Sequence, residues 1–175
     1  KSHAKAYHML HYLARKHGRE VRVGMAHHLR IFEPRVVINP LDWLVAAFTA
    51  NYFNWSVPNA LETGKISLNI PFVFNYEERI PELTRTQDFV GVNYYTRDIV
   101  WFILNKGASV GMCTKDTKAK DYMGWEIYPN GFYRILREVD SRYPKRPVLV
   151  TENGLADKND INRTAFIREH LKALH

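Results

Sequence analysis

The stretch Val-Leu-Val-Thr-Glu-Asn-Gly, residues 148–154, places a carboxylate where an apolar segment breaks into a turn. Three apolar residues followed by Thr151 predict a buried β-strand, and the Asn-Gly pair is typical of a tight turn. Glu152 lies between the strand and the turn. A carboxylate there either caps the following helix or turn, or takes part in chemistry, and the rest of the sequence has to decide between these roles.

Helical and strand patterns alternate along the chain on both sides of this stretch. Apolar residues recur at helical spacing in segments 4–18, 40–54, 128–143 and from 162 onward, whereas strand patterns cover 21–34, 86–104 and 146–154. Strands that alternate with helices predict βαβ units and a parallel sheet, either open or closed into a barrel. The polar segment 105–121, rich in Gly, Lys and Asp, is predicted to be a loop.

Composition is that of an ordinary globular chain and excludes few classes of protein. The 175 residues are 46% hydrophobic and 25% charged, and no apolar run approaches the roughly 20 residues that cross a bilayer. Cys113 is the only cysteine, so no internal disulfide requires an oxidising compartment, and we expect a cytoplasmic protein. The net charge is +7, but apart from the run at 115–120 the basic residues are scattered. We therefore expect neither a nucleic-acid nor a membrane partner.

A second strand ends in the sequence Val-Asn-Tyr-Tyr-Thr, which gathers an amide and two phenols. Alternation along the strand sends Asn93 and Tyr95 to the same face. A phenol that donates to a carboxylate orients it and keeps it ionised, and an amide can hold a hydroxyl of a polar substrate such as a sugar. Trp101 and Trp125 are candidate platforms for sugar rings, although tryptophans also serve as core or surface packing residues.

Three motifs together resemble glycoside hydrolase family 1, the β-glucosidase-type retaining β-glycosidases with a (β/α)₈ barrel. They are "DFVGVNYYT" at 88–96, "MGWEIYPNGFYRIL" at 123–136 and "LVTENG" at 149–154, in the family's order. The segment "PLDWLVAA", residues 40–47, is similar to the region after the family's fifth strand. The resemblance implies an α/β fold in which this chain covers about strands 5–7 and the neighbouring helices.

The resemblance also implies roles for individual residues. Glu152 would be the nucleophile at the end of the seventh strand, and Tyr95 would donate its hydroxyl to that carboxylate. Asn93 and Trp125 would bind the substrate, Asn93 near the sugar and Trp125 at the entrance, whereas Glu126 would be structural. The implied reaction passes through a covalent glycosyl-enzyme, with a second carboxyl about 5 to 5.5 Å from the first as acid and base. Neither a metal nor an organic cofactor is expected.

The sequence departs from the family's pattern at the residue that acts as general acid and base. The family's acid is the Glu of an Asn-Glu-Pro motif at the fourth strand, and no such motif occurs here. Glu33, in "IFEP", is the alternative acid, but it matches a loop residue after the fifth strand. We expect residues 1–175 to be part of a single catalytic domain, completed by the remainder of the barrel or by a complementary chain. The chain alone should be poorly folded or self-associating, because three strands cannot close a barrel.

Two other functions remain open. One is a non-catalytic sugar-binding or receptor-like relative, which the intact Glu152, Tyr95 and Asn93 disfavour. The other is a 6-phospho-β-glycosidase, against which the sequence "MGWEIYP" counts. A metal site is not expected: His27 and His28 point to opposite faces of one strand, and the pair His8 and His11 on one helix face provides only two ligands.

Overall fold

The computed structural model describes residues 1–70, 74–104, 108–114 and 119–174, and it alternates helices with strands as the sequence predicts. Five α-helices and six strands follow in the order α1 (Ser2–Lys16), β1 (Met25–Pro34), α2 (Pro40–Ala50), α3 (Ser56–Thr63), β2 (Lys65–Ile70), β3 (Phe74–Arg79), β4 (Val90–Leu104), β5 (Ala108–Thr114), α4 (Pro129–Arg142), β6 (Val148–Asn153) and α5 (Arg163–Lys172).

Three parallel strands form the centre of the structure. β4 pairs with β1 on one side and with β6 on the other, and both ladders are parallel. These are the three strands that the sequence predicts, although β1 begins at Met25 rather than at residue 21. Each ladder contains a bulge, between Leu29 and Ile31 of β1 and beside Val92 of β4.

The helices cover one face of this sheet. Leu29 of β1 and Val92 and Tyr94 of β4 are completely buried against Phe132 and Ile135 of α4. The residues that alternate with them point to the opposite face. His27 lies on the helix side, where burial lowers its pKa to about 4, and its neighbour His28 faces the other way. The predicted opposition of these two histidines is therefore confirmed.

Gly91 allows the central strands to approach closely. A Cβ placed there would lie 2.8 Å from the carbonyl oxygen of Met25 and 2.9 Å from the Cα of Ala26. Both contacts are with backbone atoms of β1, which cannot rotate away as a flexible side chain could. Glycine at this position therefore lets β1 and β4 pair.

The second helical region is longer than predicted. Asn39 caps α2 by accepting a hydrogen bond from the Leu41 amide at 3.1 Å. Instead of ending near residue 54, the helix passes through a π-helical turn at Asn51–Trp55 into α3, which ends at Gly64 with φ of +70°. In the π-turn, Asn54 bonds both the amide and the carbonyl of Arg30, which fastens the helix to β1.

Two further features were not predicted. The strands β2 (Lys65–Ile70) and β3 (Phe74–Arg79) pair antiparallel. The prediction of a continuous loop at 105–121 is wrong, because β5 pairs antiparallel with the far end of β4. Residues 105–107 and 115–118 of the predicted polar loop lie outside the described residues. Within the described part of the chain, no helix is long and apolar enough to span a membrane.

Candidate active site

A bulge in β6 brings Glu152 opposite Asn93. Val92 pairs with Val150, but the next residue of β4, Asn93, pairs with Glu152, so Thr151 is the extra residue of the ladder. Bulges of this kind re-aim side chains and are frequent beside active sites. On the other side of β4, Asn93 pairs with His28 of β1. His28, Asn93 and Glu152 thus form one row across the sheet.

Tyr95 donates a hydrogen bond from its hydroxyl to the Glu152 carboxylate. Burial, together with this bond to an anion, raises the Tyr95 pKa to about 12, so the phenol remains a donor at any physiological pH. The hydroxyl of Thr151, the bulge residue, donates a hydrogen bond to the side-chain oxygen of Asn93. The structure therefore brings together three of the residues that the sequence selects: Glu152, Tyr95 and Asn93.

Trp125, the fourth predicted residue, lies beside this group. Its ring centroid is 5.7 Å from that of Tyr95. The guanidinium of Arg30 also contacts the indole and lies 4.8 Å from its centroid. The loop that carries it is fixed by Asp121, whose carboxylate accepts from the Trp125 amide at 2.8 Å. Trp101, also considered as a platform, instead contacts Arg35 and is not part of this group.

Glu126 has the structural position that the sequence indicates. It is buried and accepts two hydrogen bonds from Arg97, at 2.7 and 3.0 Å, while Arg97 stacks on the Tyr128 ring. The Thr96 hydroxyl also donates to the Glu126 carbonyl at 2.9 Å. Because these contacts join β4 to the segment next to Trp125, they hold the tryptophan in place beside Tyr95.

Glu33 is unsuited to act as a general acid. Its carboxylate forms ion pairs with Arg97 and Arg134, each at 2.5 Å. Burial by itself would raise the Glu33 pKa, but the two guanidinium groups outweigh it and hold that pKa below its usual value. A general acid needs the opposite shift, because it must carry a proton at the working pH. Glu33 therefore ties β1 to β4 and α4, and it is not a candidate for the general acid.

The sequence assigns no functional role to His28, but its position makes it a member of this group. Its ring packs edge to face on Tyr95 and on Phe53, with centroid distances of 5.3 and 5.5 Å. Burial and then the Arg30 charge lower its pKa. The available signal was the alternation along β1, which puts His28 and Arg30 on the face opposite His27.

His8 and His11, the other histidine pair considered from the sequence, each have an ordinary structural partner. His11 pairs with Asp88 at 2.7 Å, and His8 contacts the carbonyl of Glu82 at 3.2 Å. No group of three or more His, Cys, Asp or Glu side chains suited to a metal occurs in the part of the chain that the structure describes.

Comparison with known proteins relates this chain to a family. The model of glycosyl hydrolase family 1 matches residues 1–175. The 1,4-beta-D-glucan glucohydrolase of Thermotoga neapolitana is 31% identical over 95% of this chain and 45% of its own length. The chloroplastic galactolipid galactosyltransferase SFR2 of Arabidopsis thaliana is 30% identical over 99% of this chain and 23% of its own. The chain thus spans less than half the length of these curated relatives.

Solved structures agree with the sequence matches. The β-glycosidase from Pyrococcus horikoshii superimposes with a TM-score of 0.79 at 34% identity, over 100% of this chain and 38% of that structure. The family 1 β-glucosidase from Thermotoga maritima gives 0.78 at 27% identity, covering 98% and 41%. These structures are (β/α)₈ barrels, so β1, β4 and β6 are neighbouring strands of such a barrel, and the predicted fold class is confirmed.

Proposed function

The chain belongs to glycosyl hydrolase family 1, and we propose that it forms part of the catalytic domain of a retaining β-glycosidase, a hydrolase of β-glucosidase type. The single observation that supports this most is the bond from the Tyr95 hydroxyl to the Glu152 carboxylate at the end of a barrel strand. Residues 1–175 would belong to one barrel domain, completed by further sequence or by a complementary chain.

In the proposed reaction, Glu152 attacks the anomeric carbon of a β-glycoside and forms a covalent glycosyl-enzyme. Tyr95 orients the nucleophile and supports its negative charge, because its raised pKa of about 12 keeps the phenol protonated. Asn93 would hold a sugar hydroxyl, and Trp125 would contact the leaving group. The acid that protonates the departing oxygen would be a carboxyl about 5 to 5.5 Å from Glu152, supplied from outside this sequence.

We propose that the reaction takes place in the cytoplasm and that the substrate is a β-glycoside. The lone cysteine supports this location, and the scattered positive charge favours neither a nucleic-acid nor a membrane partner. The mechanism uses carboxylates alone, so no cofactor is assigned.

The test is covalent labelling of the complete protein that carries this chain. Incubation with dinitrophenyl 2-deoxy-2-fluoro-β-glucoside should add one fluoroglucosyl group, which intact-mass and peptide mass spectrometry would locate on Glu152. The good leaving group makes the first step nearly independent of the acid. Glu152→Gln should abolish labelling, whereas Glu169→Gln, on the exposed surface of α5, should label like the wild type. Labelling elsewhere, or none, would overturn the proposal.

A second candidate function is glycosyl transfer to a sugar-containing acceptor. The identity to the galactolipid galactosyltransferase, 30% over 99% of the chain, nearly equals that to the glucohydrolase. Both reactions would share the glycosyl-enzyme and differ in whether water or another hydroxyl resolves it. Product analysis in the presence of a galactolipid acceptor separates them: hydrolysis releases free sugar, and transfer yields a larger glycolipid.

A further inference from the structure

A groove at the amino ends of β1 and β4 gathers three arginines. Arg15 lies in the last turn of α1, and Arg19 and Arg22 lie in the segment that joins α1 to β1. Together with Glu20, Asp88 and His11 they line a groove of about 340 Å³. Glu152, by contrast, is at the carboxyl end of β6. The arginine groove is therefore separate from the candidate active site.

The three guanidinium groups of this groove are exposed, and none of them forms an ion pair within residues 1–70, 74–104, 108–114 and 119–174. The dipole of α1 accounts for one of the three charges, because a cation is favourable in the last turn of a helix. Arg15 is in that turn, but the effect falls off beyond it, where Arg19 and Arg22 lie. Like charges that share a groove repel one another unless an anion lies between them.

The carboxylates of the groove leave most of this positive charge uncompensated. Asp88 already accepts hydrogen bonds from the Tyr7 hydroxyl at 2.6 Å, from His11 Nε2 at 2.7 Å and from the Val23 amide at 2.7 Å. Burial by itself would raise the Asp88 pKa, but these donors outweigh it and hold the pKa below its usual value. Glu20 is exposed and has no ion-pair partner in the described part of the chain.

The segment that carries Arg19 and Arg22 is fixed at both ends. Gly18, with φ of +64°, turns the chain after α1, and the Arg19 amide donates to the Ala14 carbonyl at 2.8 Å. At the other end, the Val23 carbonyl accepts from the Asp88 amide at 2.7 Å. A ligand of the two arginines would therefore find the backbone already ordered, which lowers the entropic cost of binding.

We propose that the arginine groove is a binding site for a phosphate group, either free inorganic phosphate or the phosphate of a small phosphorylated molecule. The planar fork of a guanidinium matches the oxygens of a phosphate and can bind two of them at once. A volume of about 340 Å³ is within the range of small-molecule sites. The site goes beyond the proposed glycosidase function and does not depend on it.

The test is titration calorimetry of the complete protein with inorganic phosphate, at an ionic strength held constant with sodium chloride. The wild type should bind one phosphate per chain in this groove. Arg19→Gln and Arg22→Gln each remove one guanidinium and should raise the dissociation constant about tenfold, the effect of a lost hydrogen bond to a charged group. Glycerol 3-phosphate distinguishes the two sources: tighter binding than that of phosphate indicates a phosphorylated molecule, and equal or weaker binding indicates the free anion.

Matched variants separate this site from a general effect of net charge or of folding. Arg137→Gln, on the exposed surface of α4, removes the same charge elsewhere and should bind phosphate like the wild type. Glu20→Gln removes the uncompensated carboxylate of the groove and should lower the dissociation constant about two- to fivefold, the range for an exposed charge pair. Because this change is a gain, it tests the proposal even if an arginine variant proves unfolded by thermal denaturation.

The proposal is overturned if the wild type takes up no phosphate at millimolar concentration. It is equally overturned if the Arg19, Arg22 and Glu20 variants all bind phosphate with the affinity of the wild type. Labelling of Glu152 by the fluoroglucoside should be the same in these variants as in the wild type. Failure of the wild type to label would overturn the proposed function and leave the phosphate site unaffected.

Discussion

At the scale of single residues, Tyr95 determines how well Glu152 can act. Among the side chains that the structure describes, the Tyr95 phenol donates a hydrogen bond directly to this carboxylate. We predict that Tyr95→Phe slows formation of the glycosyl-enzyme about 10- to 100-fold, the range for a lost hydrogen bond to a charged group. The loss should appear in the rate of labelling by the fluoroglucoside, measured by stopped-flow release of dinitrophenolate.

The pH dependence of this effect has a definite sign. Because the Tyr95 pKa is raised to about 12, the hydrogen bond exists at neutral pH and is lost only as the pH rises through 12. The ratio of wild-type to Tyr95→Phe rates should therefore stay constant between pH 6 and 9. Tyr133→Phe, an exposed change on α4, is the control and should have no effect. A ratio that decays within that range would contradict the assigned role.

The site was predictable to the extent that its residues are in local motifs. Glu152 ends an apolar strand, and Asn93 and Tyr95 share a face of another, so the sequence alone selects them. His28 was missed because its role depends on a neighbouring strand: only the pairing of β1 with β4 places it in the row of Glu152. Arg30 lies two residues after His28 on the same face of β1 and donates a hydrogen bond to its ring. The sequence contains this spacing, but the spacing alone does not indicate a functional site.

At the scale of elements, the close pairing of β1 and β4 depends on Gly91. We predict that Gly91→Ala lowers the free energy of unfolding by about 1–3 kcal/mol, the usual cost of overpacking, because the new Cβ meets backbone atoms of β1 at 2.8 and 2.9 Å. Urea unfolding of the complete protein measures the change. Gly154→Ala is the matched control, because a Cβ there has no heavy atom within 4 Å. Equal stability of the two variants would contradict the prediction.

The elements that the sequence predicts are those with a buried apolar face. β1 and β4 pack against helices, so their apolar pattern is strong. β6 has only Val148 beside this core, and its strand was predictable instead from the apolar run Val148-Leu149-Val150 before the Asn-Gly turn.

The pair of strands β2 and β3 is joined by its backbone ladder and by cross-strand polar pairs such as Lys65 with Glu77, at 2.7 Å. Most of the described side chains of these strands are exposed or half-buried. Among the described strands, β5 pairs with β4 alone, and it is rich in small residues. β5 has no regular apolar period, whereas β2 alternates Ile66, Leu68 and Ile70 with polar residues, a strand signal that the sequence contains and the prediction did not use.

At the scale of the whole molecule, β6 has an open edge among the described strands. It pairs with β4 on one side only, and its apolar residues Leu149 and Val150 are 51% and 39% exposed. Unpaired apolar strands are templates for association with another chain. In the complete barrel the next strand would cover this edge, so the exposure belongs to the 175-residue chain alone.

We therefore predict that the isolated chain self-associates through β6. Sedimentation velocity should show species larger than the 20.5 kDa monomer, with a proportion that grows with concentration. Leu149→Glu should shift the distribution towards monomer, because a charge at the edge disfavours strand pairing. Leu174→Glu introduces the same charge at a residue that is 44% exposed beyond α5 and should not do so. A wild-type chain that remains monomeric and unfolds cooperatively at every concentration would show that the three parallel strands suffice without the rest of the barrel.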